Sequence, residues 1–466
     1  MLIRNATLMN GQPADIRIGG NEIAALARTL APRPNETIID AAGGAALPGL
    51  HDHHIHLLAL AAAFTSLDCA TSTNARHLAE RLKAASRGKP SLRAINYHER
   101  IAGNIDRHWL DQAVPNVPAR LQHRCGRLWI LNSAGLAEIA QNHPHARLSD
   151  ATQSTGHLYD NDAMLRRPQT PAPNLAPLGH ALASRGVTAV TDATPANDLA
   201  FIALIHRAQA NGDLPQRVGI MGKAEILSAQ PTENTIPLAH KLHLHEGDYP
   251  PPEAFIAMAR HARAAGATLA VHCVTAADLI YTLALLQESG CSAGARIEHA
   301  SLVPENMLPV LAASGVTIVT QPNFIAERGD DYRLDILPEQ HTTLYRCATL
   351  QQAGIKLGGG TDAPFGHWDP WAAMQAATQR RTPSGAVLGP REILSPEAAL
   401  AMFTTPLTDP GGTPRQLAAG EPADVCILHR PWKEARQNLG AVTVQATLRE
   451  GRVIYRTEKL TGEKAA

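Results

Sequence analysis

The chain has 466 residues and carries 42 Lys and Arg against 42 Asp and Glu, so its formal net charge is zero. That balance leaves no electrostatic footprint for nucleic acid or an anionic membrane surface, and neither is expected as a partner. With 44% hydrophobic and 18% charged residues the chain can bury a sizeable core, and its length suggests two or three structural units.

The first residues, Met1–Leu8, show no basic stretch followed by a long apolar run, so no signal peptide is expected. No uncharged stretch reaches the ~18 apolar residues of a membrane span. The six cysteines (Cys69, Cys125, Cys273, Cys291, Cys347, Cys426) are scattered and form no close pair motif. They read as free thiols of a cytoplasmic protein rather than a disulfide framework. Residues 1–46 alternate short β-like runs with turns, as in Ala14–Ile18, Gly19–Asn21 and Glu22–Ala27. The same style returns in Ala423–Leu428, Val442–Leu448 and Arg452–Tyr455. Two β-rich ends around a different middle predict one small β-sandwich assembled from 1–46 and 406–466.

Pro48–Leu57 reads as a short apolar strand ending in histidines two residues apart. Side chains alternate along a strand, so His54 and His56 point one way and Ile55 the other. Two imidazoles converging there are placed to grip one metal ion. Further apolar runs follow at Val187–Asp192, Arg217–Met221, Lys241–His245, Thr268–His272, Arg296–His299, Thr317–Thr320 and Lys356–Asp362. Helix-like segments such as Pro252–Ala265 and Ala276–Glu288 lie between them, the pattern of parallel βα units. With Pro48–His56 the strands number eight, which predicts an α/β fold, a (β/α)8 TIM barrel over 47–405. The ~130 residues between His56 and Val187 far exceed an ordinary βα connection. Residues 68–179 therefore read as an inserted subdomain, with the Pro-rich stretch Arg167–Pro173 as a linker back to the barrel.

Histidines and acids fall at the predicted strand ends, where such barrels collect their active sites. Lys241 opens its strand, His272 and His299 close theirs, Asp362 follows Gly358–Gly360, and Asp52 precedes the first histidine pair. These are nitrogen and oxygen donors that suit zinc and similar divalent ions. Any one histidine at a strand end is more often a hydrogen-bonded structural residue; four in barrel order together with Asp362 argue for a site. His51, His53 and Asp52 read as packing or supporting residues. His243 and His245 share the Lys241 face, so either is an alternative ligand, whereas Cys273 points away from His272. Gly358–Gly360 lacks Walker spacing and a following Lys-Ser/Thr, and reads as close backbone packing near the metal.

On these residues the chain resembles the amidohydrolase superfamily, in the metal-dependent hydrolase branch with a long insertion after strand one. His54/His56, Lys241, His272, His299 and Asp362 match the family pattern at strands one, four, five, six and eight. Leu417–Val425 resembles the family's return into its β-sandwich. The resemblance implies a binuclear site. One divalent ion, zinc foremost, would use His54, His56 and Asp362. A second would use His272 and His299, with Lys241 bridging the two as a carbamate. Asp362 would move the proton of the attacking water. The insertion segment Leu121–Ser133 resembles the part of this branch that faces the barrel mouth, so His123 and Asn132 are candidate substrate contacts, as are Gln321 and Asn323 after strand seven. The implied activity is hydrolysis of a C–N bond in an amide, cyclic amide or N-acyl small molecule. A mononuclear deaminase or an ester or lactone hydrolase uses the same water chemistry. A non-catalytic binding relative should have lost ligands that this chain retains. A homo-oligomer is compatible with all three readings.

Overall fold

The computed structural model describes residues 1–165, 172–245 and 247–457. They form two compact units, one of Met1–Leu57 with the chain from Leu175 onward, the other Leu58–Asn174. The residues Arg167–Pro171 of the expected linker lie outside the described residues.

The first unit holds eight parallel strands hydrogen-bonded in chain order: Leu50–Ile55, Val187–Asp192, Arg217–Gly222, Thr235–His243, Thr268–Cys273, Arg296–His299, Thr317–Thr320 and Lys356–Gly359. Runs rich in Val, Ile, Leu and Ala, buried on both faces, are what a helix-covered parallel sheet demands. The connecting helices carry their own boundary signals. Ala276–Ser289 opens on a capping box between Thr275 and Asp278 and ends at Gly290 in a left-handed conformation. This satisfies orphan backbone groups at both ends. Strand four begins at Thr235, before the expected Lys241, and ends at His243, so His245 lies past it.

The ladder does not continue from strand eight to strand one; the barrel is near-closed, with a seam at that point. At the top the seam is held by Asp362 N–H to His54 O at 2.8 Å and His56 N–H to Ala363 O at 2.9 Å. Lower down the chain at Met402–Phe403 fills it, accepting Gly359 N–H and His51 N–H at 2.9 and 2.7 Å. Gly360 sits where a Cβ would lie 2.5 Å from His54 Cβ and 2.8 Å from His54 N, so only glycine permits this approach.

The expected strand Pro48–His56 is two elements. Ala46–Pro48 pairs antiparallel with Val425–Ile427, and Leu50–Ile55 enters the barrel. Gly49 separates them and packs on Thr188, whose side chain would be 2.3 Å from a Cβ there. The sandwich has one four-stranded sheet from Leu2–Thr7, Pro13–Gly19, Glu22–Ala27 and Ile38–Asp40. The other comprises Ala46–Pro48, Val425–Leu428, Val444–Arg449 and Arg452–Arg456. Ile3, Ile16, Ile23 and Ile39 of one sheet share a core with Val425, Ile427 and Leu448 of the other. The alternation read in both termini is thus the inward and outward face of two packed sheets.

The unit Leu58–Asn174 has its own five-stranded sheet, in the order His157–Tyr159, Leu128–Leu131, Ala119–His123, Leu92–Tyr97, Leu67–Asp68. Its core includes Leu78, Leu82, Leu110 and Leu121. No helix among the described residues is long and apolar enough to cross a membrane.

Candidate metal centre

Strand one delivers His54 and His56 to the seam, and the turn after strand eight brings Asp362 against them. Asp362 Oδ1 lies 3.4 Å from His54 Nε2 and 3.1 Å from His56 Nε2. One ligand atom from each of the three residues lies within 4.8 Å of the others, close enough to hold one ion. The remaining ring nitrogens are engaged elsewhere. His54 Nδ1 meets Glu298 Oε2 at 2.5 Å, and His56 Nδ1 meets Thr194 Oγ1 at 2.8 Å. An Nδ1–H donated to a carboxylate leaves the Nε2 lone pair facing the site, the tautomer a metal requires. Glu298 is in turn held by Arg296 Nε at 2.8 Å, and Thr194 N–H donates to Asp192 at 2.9 Å.

Electrostatics keep this set in ligand form. Burial pushes the His54 imidazole down to about 3, against the opposing pull of Glu298, so the ring is neutral. Burial alone would raise the Asp362 carboxyl. The His56 hydrogen bond and the rings of His54 and His299 outweigh it and hold Asp362 well below the usual range. Asp362 adopts the left-handed backbone, φ +55°, which aspartate tolerates better than most residues. Its neighbour Thr361 is tied to Asp52 through N–H at 3.0 Å and Oγ1 at 2.5 Å, and Asp52 also accepts His54 N–H at 3.1 Å. Asp52 is therefore a staple between strands one and eight.

A second group continues from the first. Ring centroids step 4.8 Å from His54 to His299, 4.4 Å to His272, 4.0 Å to His243 and 4.3 Å to His245. His299 reaches this arc because its backbone turns left-handed, φ +70°, immediately after Glu298. Burial first, then neighbouring cationic and imidazole groups, drive His272 well below its ordinary value, and burial also lowers His299. Lys241 Nζ is buried without a hydrogen-bond partner, and burial pushes its ammonium down to about 8. An orphaned amine whose charged form burial disfavours, set among neutral imidazoles, fits a site completed by a cation and an anionic modification of the lysine.

The four candidate substrate contacts fall differently. Asn132 is fully buried, and all four hydrogen-bonding positions of its amide are used inside its own unit, on Ala119 N–H, Gly135 N–H, Val114 O and Val117 O. Gln321 is fully buried and its Oε1 accepts from His299 Nδ1 at 2.7 Å, which orients that ring. The Asn132 amide is thus fully engaged within its own unit, and the Gln321 oxygen is engaged by His299. Asn323 donates to Thr361 O and Glu327, leaving its buried Oδ1 without a partner. His123 contacts Glu99 Oε2 at 3.0 Å through Nε2.

His98, Glu99 and His123 also have ligand atoms within 4.8 Å of one another. Both Nδ1 atoms accept backbone N–H groups, from Arg100 and Cys125, each at 3.2 Å. The neutral rings then carry their protons on Nε2, toward Glu99, which is a hydrogen-bonded carboxylate and not a set of free lone pairs. Sequence reasoning missed Glu298 and Thr194 and weighed His243 only as a replacement. The one sequence signal near Glu298 is that Arg296 and Glu298 are an i, i+2 charged pair on one face of a four-residue strand, which does not by itself say what they meet.

A model described as the amidohydrolase family matches residues 37–455. The chain is 24% identical to the N-substituted formamide deformylase of Arthrobacter pascens over 92% of each chain. It is 22% identical to the putative amidohydrolase YtcJ of Bacillus subtilis over 91% of each. Among solved structures, an uncharacterized metal-dependent hydrolase from Pyrococcus horikoshii OT3 superposes with a TM-score of 0.78 at 20% identity, covering 94% of this chain and 99% of the other. N-isopropylammelide isopropylaminohydrolase from Burkholderia multivorans gives 0.56 at 18% identity, covering 98% of both. These structures share its fold.

Proposed function

Because the chain belongs to the amidohydrolase family, we propose that it is a metal-dependent hydrolase of a C–N bond in an amide, cyclic amide or N-acyl small molecule. The observation that carries this reading is the convergence of His54 Nε2, His56 Nε2 and Asp362 Oδ1, with the other ring nitrogens fixed by Glu298 and Thr194. The N-acyl class is favoured by the likeness to a formamide deformylase.

His54, His56 and Asp362 would hold one ion, and His272 and His299 a second, with Lys241 as a bridging carbamate. Zinc suits this nitrogen and oxygen set. Bound there, the metal supplies Lewis acidity, lowering the pKa of water toward ~7 and polarising the scissile carbonyl. Asp362, ionised at neutral pH, takes the proton of the attacking water on a carboxylate oxygen and returns it to the leaving nitrogen. Glu298 and Thr194 keep both histidine lone pairs aimed at the site throughout. Only the His54, His56 and Asp362 atoms of the barrel, among the described residues, already lie within 4.8 Å. That favours a second reading, a mononuclear enzyme of the deaminase kind.

Metal content per chain, with and without Lys241→Ala, separates the two. About two ions falling to one in the variant supports the bridged site; one ion in both supports the mononuclear site. No metal, and no activity on N-formyl amines after metal addition, overturns the hydrolase reading. Asp362→Asn is expected to lower kcat by about 10²–10⁴-fold.

A further inference from the structure

Asp362 O accepts two backbone N–H groups, from Phe365 at 2.8 Å and from Gly366 at 3.0 Å. That single tight turn leads the chain back beside the candidate ligands, and Phe365 is the side chain it brings there. The Phe365 ring meets the His56 ring edge to face, with centroids 5.3 Å apart and planes at 74°, a favoured aromatic geometry. His56 is itself fixed, with Nδ1 on Thr194 Oγ1 and Nε2 on Asp362 Oδ1. Phe365 is only half-buried, so part of an apolar ring stays exposed next to a candidate metal ligand.

The turn is held in place from the helix Asn323–Asp335. Phe365 O accepts Arg328 Nη2 at 2.5 Å, and the Arg328 guanidinium lies 4.1 Å from the centroid of the Phe324 ring. Glu327 Oε1 accepts the His367 N–H at 2.9 Å and Asn323 Nδ2 at 3.0 Å. Gly366 packs so closely here that a Cβ would lie 2.3 Å from Asn323 Nδ2 and from Thr361 O. Three side chains of one helix thus fix the backbone on both sides of Phe365, and the ring is presented rather than tucked away.

From this geometry we propose that Phe365 is a specificity-determining residue, whose ring receives an apolar ring substituent on the nitrogen of the scissile C–N bond. This assignment rests on the C–N hydrolase reading above. A polar group set against the exposed ring would lose hydrogen bonds to water with nothing in return, whereas an apolar ring gains burial and a ring contact. Because the turn is already fixed, little ordering cost offsets that gain. Phe365 touches a candidate ligand, so a group that reaches it is attached close to the reacting atoms. In an N-formyl amine the carbonyl carbon bears only hydrogen, which leaves the nitrogen as the one atom that can carry such a group.

The test compares N-phenylformamide with N-methylformamide on the metal-loaded native chain, Phe365→Leu and Phe365→Ala. The native chain should have the lower KM for the phenyl compound. The phenyl-to-methyl ratio of kcat/KM should fall about tenfold or more in Phe365→Ala, and less in Phe365→Leu, which keeps an apolar side chain. The two amides differ in intrinsic reactivity, but that difference is common to all three proteins and cancels when the ratios are compared. An unchanged ratio in Phe365→Ala overturns the proposal. So does a native KM no lower for phenyl than for methyl, a comparison that needs no variant to fold. Loss of bound metal together with both activities in the variants would assign the ring to packing on His56 and overturns it as well. If the native chain hydrolyses neither amide, that bears on the hydrolase reading and not on Phe365. Calorimetric binding of N-phenylurea and N-methylurea then decides: Phe365→Ala should weaken the phenyl compound about tenfold or more relative to the methyl one. Equal weakening, or no binding of N-phenylurea to the native chain, overturns the assignment.

Discussion

Glu298 accepts the Nδ1 proton of His54, and that single hydrogen bond fixes which nitrogen faces Asp362. Burial would raise this carboxyl, but Arg296, Lys241 and His54 hold it well below the usual carboxylate range, so it stays an acceptor. Glu298→Gln keeps the shape but offers either an amide oxygen or an amide N–H to the ring. Metal affinity measured by competition with a chromophoric chelator should fall about 10–100-fold, the usual cost of losing such a partner. An unchanged affinity would show that His54 needs no help to hold its tautomer. His54 and His56 were legible in the sequence because strand alternation places them on one side. Glu298 was not, since on a strand buried on both faces parity cannot say which charged residue meets a ligand 244 positions away.

At the scale of elements, the seam between strands one and eight is both the weakest point of the barrel ladder and the place where three candidate ligands meet. Gly360 permits it. A methyl group in Gly360→Ala would press on His54 backbone and Cβ, so we expect about 1–3 kcal/mol of destabilisation together with weaker metal binding. Urea midpoints with and without metal measure both. Equal metal-induced stabilisation in the variant would separate the seam from the site. The sandwich has its own electrostatic tie. Arg17 Nε and Nη2 bond Glu36 at 2.8 and 3.0 Å, and Arg33 N–H adds a third bond at 3.0 Å. The Arg17 bond, chiefly, lowers Glu36 from 4.5 to about 2. A depressed folded pKa contributes stability that is fully present above about pH 4.5 and lost as pH falls toward about 2. The stability gap between the native chain and Glu36→Gln should therefore narrow from pH 6 to pH 3. A constant gap would mean that the ion pair does not carry the difference. Five barrel strands, those at Val187, Arg217, Thr268, Arg296 and Thr317, were readable to within a residue because their apolar runs are short and bounded by turn residues. Strand four was not: Thr235–His240 mixes polar residues with Pro237, and pairing to Arg217–Gly222, joined at Ala239 and His240 by pairing to Thr268 and Leu269, makes it a strand.

Over the whole molecule, the barrel with its sandwich and the unit Leu58–Asn174 each have a separate hydrophobic core. A ligand that binds only one unit stabilises only that unit. Calorimetry should resolve two transitions, and a chelator should lower only the one belonging to the barrel. A single transition, or an equal shift of both, would show that the units unfold together. The sequence by itself determined the strand count, the two β-rich ends and the order in which histidines, Lys241 and Asp362 appear, because periodicity and strand ends are local properties of the chain. Only the tertiary structure decided the rest: that Ala46–Pro48 leaves the barrel for the sandwich, that Asn132 bonds four backbone groups and Gln321 bonds His299, and that Glu298 and Thr194 bond the His54 and His56 rings. Each depends on which residues distant in sequence share a hydrogen bond, and that is set by the closure of the barrel and not by any local pattern.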